Sequence, residues 1–110
     1  MHIILKTIKE RCDINMVRVT KMKYFNIYSN NYGYIVHNTK KRFEEGHTHI
    51  KNFNTAKYVA YLSLYKKLPK KNHLSTYLIE SVIRVSSDRK YIAKLNSLKD
   101  SINNKKIRNE

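Results

Sequence analysis

At 110 residues the chain has room for one domain with a single modest hydrophobic core. Its 23 Lys and Arg stand against 8 Asp and Glu, a formal charge of +15 that makes a compact domain repel itself and that a polyanion relieves. The lone Cys12 excludes an internal disulfide and a cysteine-based zinc motif, two glycines are too few for a Gly-rich phosphate loop, and no membrane-spanning run is present.

Residues 1–22 read as an N-terminal extension. Their apolar run before Lys6 is too short for a signal peptide, so a cytoplasmic location is expected. Lys23 to Ser29 and Gly33 to Thr39 are rich in Tyr, Phe, Ile and Val, and Asn30, Asn31 and Gly33 offer positive φ angles for a hairpin turn between them. Alternation puts Phe25 and Ile27 on one face, with Tyr24 and Tyr28 on the other. A third short strand falls within Phe43 to Ile50, interrupted by Gly46.

From Asn54 the period changes to that of a helix. Asn54 or Thr55 caps a first helix to about Lys67, with Ala56, Val59 and Leu62 facing a core, and Pro69 ends it. A second helix from about Leu74 to Ser86 carries Leu78, Ile79, Val82, Ile83 and Val85 and is apolar enough to be central. Ser87 and Asp88 cap a third, whose Ile92, Leu95, Leu98 and Ile102 recur at helical spacing. The expectation is a single α+β domain over residues 23–102, an N-terminal β-hairpin with a short third strand packed on a three-helix C-terminal bundle, and a frayed basic tail over 103–110.

AT-biased coding enriches Lys, Asn, Ile and Tyr without selection for binding, and it accounts for seventeen Lys against six Arg. The same bias favours Glu, which is scarce, so the imbalance stands as a signal. Three basic clusters are candidates for phosphate contacts: Lys40, Lys41 and Arg42; Lys66, Lys67, Lys70 and Lys71 around Pro69; and Arg84, Arg89 and Lys90. Tyr28 and Tyr32, with Tyr24 and Tyr34 nearby, are candidates for stacking on unpaired bases. These point to nucleic acid, with single-stranded DNA favoured because no motif reads base edges.

His47 and His49, two apart on a strand, project to one side and can share a divalent metal, with Glu44, Glu45, His37 and His73 as the available further ligands. With Tyr91-Ile92-Ala93-Lys94 the pair resembles HUH nucleases, which hold a metal on a His-hydrophobe-His strand and attack DNA with a helical Tyr. Thr48 departs from that pattern. The leading expectation is a non-enzymatic protein without a cofactor; the HUH-like nuclease, with His47, His49 and Tyr91, and a basic inhibitor of a host defence system are the alternatives.

Tyr34-Ile35-Val36-His37-Asn38-Thr39, Phe43-Glu44-Glu45-Gly46-His47-Thr48-His49, Thr55-Ala56-Lys57, Leu74-Ser75-Thr76-Tyr77-Leu78-Ile79 and Lys90-Tyr91-Ile92 together resemble the small accessory proteins encoded beside a family-A-like polymerase in staphylococcal cassette chromosome mobile elements. The resemblance covers about Lys23 to Leu98 and includes no catalytic motif. It implies that a polymerase/primase partner carries the chemistry while the small protein helps hold single-stranded template during mobile-element DNA replication. An exposed stripe of Tyr58, Tyr61 and Tyr65 is the expected surface for that partner.

Overall fold

The computed structural model describes residues 16–108. Strands β1 (Val17–Met22), β2 (Phe25–Asn30), β3 (Gly33–Asn38) and β4 (His47–Ile50) form one antiparallel sheet in chain order. Helices α1 (Phe53–Tyr65), α2 (Thr76–Arg84) and α3 (Arg89–Arg108) follow, with a 3-10 turn at Lys71–His73 before α2. Strands and then helices make this an α+β fold.

Pairing across the sheet defines its two faces. Ile27 lies opposite Val36, and Val36 opposite Thr48, so Phe25, Ile27, Val36 and Ile50 share the inner face with Asn38 and Thr48. All six are buried. Tyr28, Ile35, His37, His47 and His49 occupy the outer face. Ala56, Val59, Ala60 and Leu62 of α1, and Leu78, Ile79 and Val82 of α2, pack on the inner face, and α3 adds Tyr91 and Leu95 to the same cluster.

The caps are local. Asn52 Oδ1 accepts from the Thr55 amide and caps α1, two residues before the expected Asn54 and three before Thr55. Ser75 Oγ accepts from the Leu78 amide and starts α2. α1 ends at Tyr65, ahead of Pro69, because Lys66 turns left-handed at φ 55° and its amide bonds back to the Leu62 carbonyl. At the β2–β3 turn only Gly33 has positive φ, at 142°; Asn30 acts instead through its side chain, which accepts from the Tyr32 amide at 2.8 Å.

Two boundaries differ from the expected domain limits. Val17–Met22, placed by sequence in the extension over 1–22, is edge strand β1 on β2. Val17 and Val19 alternate with Arg18 and Thr20, but the strand buries no side chain fully and a bulge lies between Arg18 and Thr20, so its short alternation marks no core face. Residues 103–108, expected to fray, continue α3, where Thr76 Oγ1 donates to Asn103 Oδ1 at 3.3 Å and Ile102 packs on the core. The remaining parts of the extension and the tail, residues 1–15 and 109–110, lie outside the described residues.

Candidate nucleic-acid interface

Four connections meet at the end of the sheet where β2 begins and β3 ends. The β1–β2 turn brings Lys23 and Tyr24, the segment after β3 brings Lys40 and Lys41, the end of α1 brings Tyr65 and Lys66, and the α2–α3 junction brings Ser86, Ser87 and Asp88. Polar contacts tie them together. The Thr39 hydroxyl and amide both donate to the Tyr24 carbonyl, at 2.7 and 2.9 Å. Lys41 Nζ donates to the Ser86 carbonyl at 3.2 Å, and Lys66 Nζ lies 3.6 Å from the Asp88 carboxylate.

Between these connections is a cleft of about 230 Å³ lined by Tyr24, Asn38, Lys40, Ser63, Lys66, Ser86, Ser87, Asp88 and Tyr91. Its lining is built on buried hydrogen bonds. Asn38 Nδ2 donates to the Val85 carbonyl at 3.0 Å while its Oδ1 accepts from the Lys40 amide at 2.9 Å. Ser86 Oγ donates to the Val82 carbonyl at 2.6 Å, so its one proton is spent and Ser63 is the donor across their 2.7 Å contact. Asp88 is the one carboxylate in that lining.

The lysines at this end are placed against rings and in costly backbone. Lys40 Nζ sits 4.2 Å from the Tyr24 ring centroid and Lys23 Nζ 6.0 Å from that of Tyr65. Among the described residues, Lys23 (φ 54°) and Lys66 (φ 55°) are the two non-glycine positions with left-handed backbone. A residue with a Cβ in that region costs about 1 kcal/mol, which Gly avoids and Asn partly offsets by a local hydrogen bond. From Tyr65 the rings continue along α1 to Tyr61 and Tyr58, at centroid spacings of 5.3 and 6.4 Å. Tyr61 and Tyr65 are exposed, whereas Tyr58 is half-buried and its hydroxyl accepts from the Lys70 amide.

The structure joins some of the residues expected from sequence and parts others. Lys40, Lys41 and Lys66, from two clusters, come together. Arg84, Arg89 and Lys90 are exposed on the junction that carries Ser86 to Asp88. Arg42 is exposed but bound at 2.8 Å by Glu45, a hydrogen bond that also holds its pKa above the ordinary value. Lys67 is exposed just past the α1 cap, and Lys70 and Lys71 follow on the connection that runs back past Tyr58. Tyr32, 81% exposed, is at the β2–β3 turn, the length of the hairpin away from the cleft, and Tyr28 is half-buried on the outer face. Lys23 and Tyr65 were not singled out for nucleic acid by sequence, although Lys23 adjoins Tyr24 and Tyr65 adjoins Lys66; their pairing, across more than forty positions, is tertiary.

The constellation of a tyrosine nuclease is not assembled. Tyr91 is buried, its hydroxyl donates toward the Lys67 and Leu62 carbonyls at 2.6 and 2.9 Å, and burial pushes its pKa up, away from a nucleophilic phenolate. His47 and His49 project from the other face of the sheet. The suggested further ligands do not gather around them: no group of three or more His, Cys, Asp or Glu among the described residues is placed to hold a metal ion.

No helix among the described residues is long and apolar enough to cross a membrane. Comparison of the chain with family models, curated proteins and solved structures finds no match.

Proposed function

We propose that the protein binds single-stranded nucleic acid, non-enzymatically, through the cleft end of the sheet. Lys23, Lys40, Lys41 and Lys66 neutralise successive phosphates, and Tyr24, Tyr65 and Tyr61 offer ring faces to bases between them. The observation that carries this reading is the pair of left-handed lysines. Charge is kept at two positions where glycine would make the fold more stable, and both positions face the same cleft end. Lys66 also caps α1 and Lys23 also turns the chain between β1 and β2, and keeping lysine rather than glycine at both supports the reading because strained positions cluster at working sites.

In line with the resemblance of Tyr34 to Thr39, Phe43 to His49 and Leu74 to Ile79 to accessory proteins of mobile elements, the protein serves a polymerase or primase in the cytoplasm, holding template while the partner carries the catalytic residues. The charge of +15 supports that division.

Fluorescence anisotropy with a labelled single-stranded DNA tests the reading. Four phosphate contacts predict a log-log slope of affinity against salt of about −3. Lys66→Gly separates charge from structure: binding weakens and the slope becomes shallower by about 0.7, while stability in urea rises by about 1 kcal/mol. Affinity indifferent to salt, or unchanged in Lys66→Gly and Lys40→Ala, would remove the proposal.

A further inference from the structure

The outer face of the sheet carries a second constellation, unrelated to the cleft. β4 alternates, so His47 and His49 stand on one side of the strand, and their Nε2 atoms approach to 3.2 Å. His47 Nδ1 lies 2.6 Å from the Phe43 carbonyl oxygen. A carbonyl only accepts, so Nδ1 carries the proton, and the neutral ring has its lone pair on Nε2, aimed at His49. The Phe43 ring stacks on His47 at 4.2 Å and 9° and fixes the plane of that lone pair.

We propose that His47 and His49 bind a divalent transition ion of the zinc and nickel class through their Nε2 atoms. Two metal–nitrogen bonds of about 2.0–2.1 Å at a tetrahedral angle hold the nitrogens about 3.3 Å apart. The observed spacing already matches, so the ion replaces the hydrogen bond between the rings with little movement of either, as His49 gives up its Nε2 proton to solvent and takes one at Nδ1 to become the neutral tautomer that can ligate. The Nδ1 contact to the Phe43 carbonyl is the outer partner that orients a metal-bound imidazole. His37, across from His47 in the ladder, is not a third ligand: its Nε2 is 3.0 Å from the Lys41 carbonyl and its ring meets the edge of Phe43. Two protein nitrogens leave the other positions to water, which makes the site exchangeable, and imidazole selects against Mg²⁺.

Isothermal titration of the full chain with Ni²⁺, Zn²⁺ and Mg²⁺, followed by NMR of the imidazole protons, tests this. The expected result is one Ni²⁺ or Zn²⁺ per chain, shifts at His47 and His49, and no Mg²⁺ binding. His49→Gln, at an exposed position, and His47→Gln each weaken Ni²⁺ at least about tenfold, while His37→Gln retains the affinity. Metal-free melting of each variant separates lost ligands from lost fold. Absence of saturable Ni²⁺ and Zn²⁺ binding, undiminished affinity in folded His49→Gln, or equal loss in His37→Gln overturns the assignment.

Discussion

His37 shows how surroundings decide the charge of a single side chain. Burial lowers its pKa from the ordinary 6.5, outweighing the hydrogen bond to the Lys41 carbonyl, and the neighbouring His47 lowers it further. The folded state therefore binds fewer protons than the unfolded state over the window from 6.5 downward to the depressed value. Stability contributed by neutral His37 is complete above that window and is lost as pH falls through it. Urea denaturation at about pH 7.5 and about pH 5.5 should show a smaller loss on acidification in His37→Gln than in the parent chain. An equal loss in both would mean that other groups carry the acid sensitivity. Tyr91 teaches the opposite lesson about reading residues singly: its spacing to Lys94 suggested chemistry, but its burial and two carbonyl partners make it a structural tie between α3 and the end of α1.

At the scale of elements, each short helix starts on one side-chain acceptor. Asn52 for α1 and Ser75 for α2 satisfy amides that have no partner within the helix. Asn52→Ala and Ser75→Ala should each lower stability by about 1 kcal/mol in equilibrium denaturation, with α2, the shorter helix, the more sensitive in hydrogen exchange. No loss in either would show that packing of Val59 and Ile79 alone sets those helices. Apolar periodicity made all three helices legible before the structure, and alternation did the same for β2 and β3. Edge strand β1 stayed hidden because Val17 and Val19 are 60% and 46% exposed and Val19 lies at the bulge, so its place is set by backbone pairing with β2.

The whole molecule is shaped by its charge. With +15 spread over 110 residues and three ion pairs among the described residues, all with a substantially exposed partner, repulsion is poorly offset from within. Screening should then stabilise the fold: the melting temperature is expected to rise as sodium chloride is raised from about 0.01 to about 0.15 M, where the Debye length contracts from about 30 to about 8 Å. A melting temperature that falls over this range would indicate that the ion pairs, rather than the repulsion, dominate.

Composition and periodicity by themselves determined the charge, the α+β class, three helices and the β2–β3 hairpin, because each depends on residue type and on neighbours three or four places away. They also supplied Lys40, Lys41 and Lys66 as basic residues, without relating them. Only the tertiary structure decided that Lys40 and Lys66 line one cleft with Tyr24, that Lys41, Lys23 and Tyr65 lie at the same end of the sheet, that Tyr32 stands at the far end, and that Tyr91 is separated from the His pair by the sheet. Such relations join residues tens of positions apart through turns and packing, and local pattern carries no record of which loops will meet.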